Sequence, residues 1–352
     1  MAGEIVLREG FDVYSGVATA GIGLVTRWLE AVSSSTTLVA GRFAGQAMRI
    51  GGASVGDVYG RYRVLDAPVA NFTLGCAFRL ESGSAFAVRP VAHVRSGNVY
   101  DMGFGVSGDG VLAIVKNTAA STFTILAQTA AAFIASTVWN YIEMECVRHA
   151  TAGEARIYLN GNPTPALSVT GVNTIGANPT VDRLHLGQNG SGTSGSAFSY
   201  DDLYVKEGIG RLGPQQIHTL KVNADGLTQQ WAPSIGTVHK DVVDESPVSF
   251  TDYVQASTVG QVEQFGFEDL PLNPAAINDV NLIAFAQKSD AATRAINLGI
   301  SNGGTTSLGP DVFLAQGVAR YERLLGTVNP LTGLAWNKAQ IDELMAHLRV
   351  AA

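Results

Sequence analysis

The chain of 352 residues has few charged side chains. Asp, Glu, Lys and Arg make up 15% of it, whereas hydrophobic residues make up 46%. Soluble domains usually contain about a quarter of charged residues. Little charge together with much apolar material excludes a disordered chain and favours large packed sheets. It also suggests that neighbouring subunits cover part of the surface, so we expect the chain to assemble with itself.

The chain also has few cysteines and fewer basic than acidic residues. Cys76 and Cys146 are the only cysteines and stand far apart, which excludes a disulfide framework. A net charge of −7 provides no basic footprint, so we expect no nucleic-acid partner. The N-terminus lacks the basic region and apolar stretch of a signal peptide, and we expect the chain to be made in a cytoplasm.

The sequence lacks the motifs of the common enzyme classes. It contains no GxxxxGK[ST], HExxH, CxxC, GxSxG or EF-hand pattern. None of its histidines has the spacing of paired metal ligands. They are His93, His149, His185, His218, His239 and His347. We therefore expect no enzyme activity, no catalytic residue, no cofactor and no metal.

One uncharged run, residues 117–142, is long enough to cross a bilayer. Ten of its 26 residues are Asn, Ser, Thr or Gln, and the commonest of its apolar residues is the small residue alanine. This composition favours strands, and we expect no membrane insertion.

Alternation of apolar and polar residues dominates the first two thirds of the chain. Phe72–Leu80 places five large or apolar residues on one face, and residues 141–146 repeat the design. Asn160 and Gly161 are a strong hairpin signal, because both tolerate positive φ. Short strands about every ten residues predict a sandwich or barrel.

The pattern changes near residues 208–214, where glycines and Pro214 follow a strand. We predict a first domain over 1–212, a second, smaller β-domain over 213–328 and a C-terminal extension over 329–352. In the extension, Asn337 and Gln340 have the spacing of a capping box, which predicts a helix over 337–350. Its apolar stripe could dock on the domain or form a subunit interface. The stripe consists of Ile341, Leu344, Met345 and Leu348.

Carboxylate pairs are the main catalytic candidates, because jelly-roll glycoside hydrolases use two of them. Glu143 and Glu145 share a strand face, but Met144 stands where laminarinase-type glucanases have Asp. We expect this pair on a solvated outer face. Asp201 and Asp202 could bind calcium, although no further acidic residues cluster nearby and a capped strand end is the favoured interpretation.

Two tryptophans could stack against sugars. Trp28 and Trp231 lie in loop-like contexts, and burial at an interface is the alternative that we favour. The stretch from Gly190 to Ser196 lacks the strand–helix context of a phosphate-binding loop and predicts a flexible loop.

Several segments, in order along the chain, carry a family resemblance. They are residues 11–14, 41–49, 72–80, 139–143, 157–161 and 200–205, then 212–214, 224–226 with Trp231, 243–245 and 329–336. The first six resemble strands of concanavalin A-like (laminin G-like) domains in tailed-bacteriophage virion proteins. The later ones resemble the connector, second β-module and tail of such proteins.

The resemblance implies an all-β fold: a concanavalin A-like jelly-roll β-sandwich, a second smaller β-domain and a short C-terminal helix. It also implies a virion location, with other virion proteins as partners, and it carries no catalytic residue. The first functional hypothesis is a structural component of a tail, baseplate, fibre or head decoration. A lectin-like module for host surface glycans is the second, and a glycoside hydrolase is the third.

Overall fold

The structure is a computed structural model. It describes residues 3–14, 23–24, 27–32, 35–51, 60–81, 86–119, 122–176, 178–187, 197–245 and 248–352. Its contacts divide the chain into two compact units. The first unit consists of Met1–Phe11 and Arg27–Ile217, and the second consists of Asp12–Thr26 and His218–Ala352.

Fifteen strands build the described part of the first unit. In chain order they are β1 (Ile5–Glu9), β2 (Leu29–Val32), β3 (Ser35–Ala40), β4 (Gln46–Gly51), β5 (Gly60–Val69), β6 (Phe72–Leu80), β7 (Arg89–Ser96), β8 (Val99–Val106), β9 (Leu112–Ala119), β10 (Thr122–Gln128), β11 (Asn140–Val147), β12 (Gly153–Leu159), β13 (Leu167–Val172), β14 (Val181–Leu186) and β15 (Ala197–Glu207).

These strands form two antiparallel sheets. The eight-stranded sheet has the order β13-β12-β11-β6-β15-β4-β3, with β1 paired to β15. The seven-stranded sheet has the order β10-β9-β8-β7-β14-β5-β2. Strands that are neighbours in a sheet are often distant in sequence, as in β6 beside β11 and β15. This arrangement confirms the predicted jelly-roll sandwich.

The core of the first unit lies between the two sheets. Phe78 of the eight-stranded sheet is central to it, with its ring centroid 5.9 Å from that of Phe104 in the seven-stranded sheet. Phe198 and Tyr200 pack on the same ring. The Tyr200 hydroxyl donates to the Val91 carbonyl across the sandwich, at 2.7 Å. The predicted alternation in β6 therefore buries the face that holds the sandwich together.

Both cysteines belong to this core. Cys76 and Cys146 are fully buried and unpaired. Burial raises the pKa of Cys146 to about 12 and that of Cys76 further still. Because the thiolate is the reactive form, both side chains behave as small hydrophobic residues.

The second unit contains nine strands in its described residues. They are β16 (Val222–Gln229), β17 (Ala232–Pro233), β18 (Val254–Gln255), β19 (Val262–Phe267), β20 (Val280–Ala286), β21 (Ala295–Asn302), β22 (Thr305–Phe313), β23 (Ala319–Gly326) and β24 (Met345–Val350). Five of them form a sheet of order β16-β19-β24-β21-β22, while β17 pairs with β18 and β20 with β23.

The C-terminal segment differs from the sequence prediction. The helix α1 (Lys338–Asp342) begins at Asn337 with the expected capping box, in which Gln340 is the reciprocal partner. It ends at Asp342, and β24 follows as the central strand of the five-stranded sheet. Residues 329–352 are therefore part of the second unit and not a separate extension.

The predicted apolar stripe is used inside this unit. Ile341 and Leu344 are both buried in its core beside Trp336 and Leu298, and Leu348 packs against the same cluster. Met345 is the first residue of β24 and is half-buried. Of the two docking alternatives, the stripe covers its own chain, which removes the reason for placing a subunit interface there.

Within the described ranges, the structure contains no helix that is long and apolar enough to cross a membrane.

Candidate functional site

The outer face of the seven-stranded sheet carries the candidate site. Strands β5, β14 and β7 pair so that Tyr62 stands opposite His185, and His185 opposite His93. Two residues away along each strand, Arg183 stands opposite Arg95. Side chains alternate along a strand, so these residues point away from the core while the aliphatic residues between them point into it. We call this group, together with two residues from the β7–β8 turn and β8, the basic–aromatic patch. Its members are Tyr62, His93, Arg95, Asn98, Tyr100, Arg183 and His185.

Two stacked histidines form the floor of the patch. The rings of His93 and His185 lie 4.5 Å apart with an interplanar angle of 21°, and both residues are fully buried. The Tyr100 ring packs against both, with centroid distances of 5.0 Å and 5.4 Å. Gly103 allows β8 to lie close to His93 of β7, because a Cβ atom at position 103 would lie 2.4 Å from the Cβ atom of His93. Burial, with help from His185, holds the pKa of His93 well below its usual value.

We expect the first unit to lose stability as the pH falls below about 6.5, the unperturbed pKa of histidine. In that range the unfolded chain binds a proton on His93 that the folded unit excludes. For this one group, the free energy of unfolding falls by up to about 1.4 kcal/mol per pH unit until the pH reaches the pKa of His93 in the folded unit. Hydrogen exchange of β7 amides across this range would measure it. His93→Phe keeps a stacked ring and should have a flatter profile, and identical profiles would contradict the buried neutral state.

The Arg95 guanidinium lies between two tyrosine rings. It is 4.4 Å from the ring centroid of Tyr100 and 5.0 Å from that of Tyr62, and the residue is only 5% exposed. Nη2 donates to the Asn98 side-chain oxygen at 3.4 Å, whereas Nε and Nη1 have no hydrogen-bond partner. Burial lowers the pKa of Arg95, and Arg183 lowers it further. Contact with the rings compensates only part of the cost of burying this charge.

Arg183 forms the exposed edge of the patch. Its guanidinium lies 5.1 Å from the Tyr62 centroid, and Nη1 donates to the same Asn98 oxygen at 3.2 Å. The Asp182 carboxylate is 3.8 Å from Nε, and its other oxygen accepts from the Gly97 amide at 2.7 Å. Of the two guanidinium groups, only that of Arg183 has a carboxylate within ion-pair distance, which leaves the patch with excess positive charge.

The sequence contained a signal for this site that we did not use. His93 and Arg95 alternate with aliphatic residues in β7, and Arg183 and His185 do the same in β14. In an antiparallel pair, two such segments of opposite order bring like residues face to face. Scanning for metal-ligand spacing within one segment could not detect this arrangement.

Glu143 is not on a solvated face, as we had expected. Residues 208–217, which we call the connector segment, cover it, and it is 1% exposed. Its Oε1 accepts from the Tyr204 hydroxyl at 2.7 Å and from the Gly213 amide at 2.9 Å. Arg211 Nη1 lies 3.4 Å from its other oxygen.

Glu145 is covered by the same segment. It accepts from the Gly210 amide at 2.9 Å and from the Tyr158 hydroxyl at 3.1 Å. The two carboxylates therefore hold the connector segment on the outer face of the eight-stranded sheet. The sequence prediction of surface residues was wrong, because the alternating pattern cannot reveal a later segment that folds over a strand.

Asp201 and Asp202 are buried at an irregular point of β15. Asp201 Oδ2 accepts from the Arg42 amide at 2.8 Å, and Asp202 Oδ1 accepts from the Ile217 amide at 2.8 Å. Arg42 Nη1 lies 3.5 Å from the second carboxylate. These contacts tie loops to the strand. Among the described residues, no group of three or more His, Cys, Asp or Glu side chains is arranged to hold a metal.

The tryptophans proposed as sugar platforms are fully buried in one case and partly buried in the other. Trp28 is fully buried, and its Nε1 donates to Glu9 at 3.3 Å. Trp231 packs against the core of the second unit and donates from Nε1 to the Gln261 carbonyl at 3.3 Å. The loop predicted over residues 190–196 lies outside the described residues.

Comparison with known proteins gives similarity in structure alone. No family model and no curated protein matches the chain. Solved structures with a similar architecture include an endo-β-1,4-glucuronan lyase from Trichoderma reesei, at 12% identity over 58% of this chain and 98% of that one, with a TM-score of 0.39. Lectin II from Ulex europaeus matches at 7% identity over 58% and 99%, with a TM-score of 0.36. A Bacillus licheniformis β-glucanase matches at 10% identity over 59% and 100%, with a TM-score of 0.38.

These similarities concern the jelly roll, and nothing in them indicates a bacteriophage virion protein. They correct one expectation. We had predicted that the chain is not an enzyme, and that inference was wrong because similar structures include a lyase and a glucanase. At identities this low the likeness establishes no activity for the chain itself.

Proposed function

We propose that the chain is a glycan-binding protein and that its first unit holds sugar on the basic–aromatic patch. The observation that carries this proposal is the partly exposed Tyr62 ring, which has the guanidinium groups of Arg95 and Arg183 within about 5 Å of its centroid. Ligand sites typically combine an aromatic surface with a few well-placed polar groups. This is the lectin-like hypothesis from the sequence, located on other residues than Trp28 and Trp231.

The surroundings of the patch favour a ligand with both apolar and polar faces. Leu29 stands opposite Tyr62, and Val64 stands opposite Arg183. Leu29 is 44% exposed and Val64 is 50% exposed. Exposed apolar residues grouped around convergent polar groups are typical of binding surfaces. A sugar ring can place its C–H face on such residues while its hydroxyls bond to the guanidinium and amide groups.

Replacing Tyr62 by Ala should weaken glycan binding by about three- to tenfold, the equivalent of one aromatic contact. The full chain would be screened on a glycan array, and affinities for the hits would be measured by calorimetry. Tyr253→Ala is the matched control, because Tyr253 is an exposed tyrosine of the second unit. Equal losses in the two variants, or no binding to any glycan, would contradict the proposal.

A place in a bacteriophage virion is a second proposal. It is supported by the segments that resemble such proteins in the same order along the chain. The low charge content of 15% also supports it, because it suggests a surface covered by neighbouring subunits. A tail or fibre component that holds host glycans would satisfy both proposals. Electron microscopy of particles labelled with an antibody against this chain would test it, and unlabelled particles would contradict it.

A further inference from the structure

We infer that the ligand of the basic–aromatic patch is an acidic glycan, whose carboxylate or sulfate group is held by Arg183 and Asn98 above the buried charge of Arg95. This inference rests on the proposed glycan-binding function and specifies its ligand class. Its first support is the charge balance of the patch. In the described part of the chain, Arg95 has no carboxylate within ion-pair distance, and Arg183 has only Asp182, at 3.8 Å.

The second support is the burial of an incompletely bonded cation. Arg95 is 95% buried, and two of its three nitrogens have no hydrogen-bond partner. Proteins rarely bury a charge without a counter-charge, because removing an ion from water costs roughly several kcal/mol. An anion bound at the surface above Arg95 would supply that counter-charge. The field of a buried charge is screened less than that of an exposed one.

The third support is the arrangement of the donors. Arg95 and Arg183 contact the same Tyr62 ring and donate to the same oxygen of Asn98. Two like charges are thus held side by side before any ligand arrives. A planar guanidinium matches the geometry of a carboxylate or sulfate. The Asn98 amide is exposed and can turn its N–H groups towards the same anion.

The geometry also explains why a sugar acid fits better than a free anion. Arg183 is the accessible member of the pair, with 24% of its side chain exposed, and it lies beside the Tyr62 ring. A free anion would use the guanidinium groups only. A sugar that bears the anionic group would use the ring as well.

Matched ligand pairs would test the inference on the full chain. Suitable pairs are a hexuronic acid oligomer with its carboxyl-reduced form, sialyllactose with lactose, and a sulfated oligosaccharide with its desulfated form. We expect at least one acidic member to bind about tenfold or more tightly than its neutral partner, as expected for hydrogen bonds to a charged group. Added salt should weaken the acidic member selectively.

Arg183→Gln should abolish the preference for the acidic members, because their charged contact is lost, whereas the neutral members should lose only the smaller contribution of one neutral hydrogen bond. The control is Arg156→Gln, in which a similarly exposed arginine of the eight-stranded sheet loses its ion pair with Glu154. If neutral members bind as tightly as acidic ones, the inference fails while the proposed function stands. If no member of any pair binds, the proposed function fails as well.

Discussion

Replacing Arg148 by Met is expected to lower the free energy of unfolding of the first unit by about 3–5 kcal/mol. Arg148 Nη1 lies 2.7 Å from Asp101 Oδ2, and the two side chains are 1% and 0% exposed. Its Nη2 also donates to the Asn178 carbonyl at 2.7 Å and its Nε to that of Pro179 at 3.3 Å. Methionine fills part of the same space but leaves a buried carboxylate without its cation.

The pH dependence of this variant separates lost charge from lost packing. Burial already raises the pKa of Asp101, and Arg148 opposes that rise. Without Arg148, the folded unit favours protonated Asp101 even more. A carboxyl whose folded pKa is raised destabilises the protein as the pH rises through that pKa. The difference between the variant and the wild type should therefore shrink at acid pH.

Hydrogen exchange of amides in β8 and β11 would measure the effect on the first unit within the full chain. Arg156→Met is the control, because Arg156 has one third of its side chain exposed and its ion pair with Glu154 lies at the surface. Such pairs contribute about 0–1 kcal/mol. Similar losses in both variants would contradict a special role for the buried pair.

The strands of the sandwich could be predicted because their signals are local. Alternation in Phe72–Leu80 identified the side chains that pack into the core, although the other face of the strand, with Thr73 and Ala77, is buried as well. Asn160 and Gly161 adopt φ values of 52° and 78°, as the predicted turn requires. In each case the relevant physics, a pleated backbone or a positive φ, acts within a few residues.

The end of the chain shows where local signals fail. The capping box at Asn337 and Gln340 forms as predicted, yet the helix stops after one turn. Residues 345–350 also alternate, and β19 and β21 supply hydrogen-bonding partners on both sides. A short apolar run is compatible with a helix or a strand, and distant partner strands decided between them here.

The candidate site could not be predicted from local sequence signals either. Its charge imbalance arises only when β7 and β14, which are distant in sequence, pair in one register. A slip of β7 by one residue would turn Arg95 towards the core, and a slip of β14 would do the same to Arg183. Composition could not reveal it either, because the chain as a whole carries a net charge of −7. A local basic site can exist on an acidic protein.

The double change Glu143→Gln and Glu145→Gln should release the connector segment and destabilise the first unit by about 3–5 kcal/mol. Each carboxylate accepts hydrogen bonds that involve a charged group, and such bonds contribute about 1.5–3 kcal/mol. A glutamine amide can accept on one side only. At Glu143 it would have to leave the Gly213 amide and Tyr204 hydroxyl without an acceptor, or point its N–H groups at Arg211.

The two positions should not contribute additively, because they hold the same segment and lie two residues apart on β11. The amides of Gly210 and Gly213 should exchange much faster in the double variant, since they donate directly to the replaced oxygens. Amides of β7 and β14, on the other sheet, should change only as far as global stability changes.

Glu154→Gln on the neighbouring strand β12 is the matched control. Glu154 faces Arg156 across an exposed ion pair, and 37% of its side chain is exposed. Its loss should therefore cost about 1 kcal/mol at most. The solvated-face interpretation predicts equally small effects for all three glutamates. Unchanged exchange at Gly210 and Gly213 in the double variant would restore that interpretation, whereas selective release of the connector segment establishes the two buried carboxylates as its anchors.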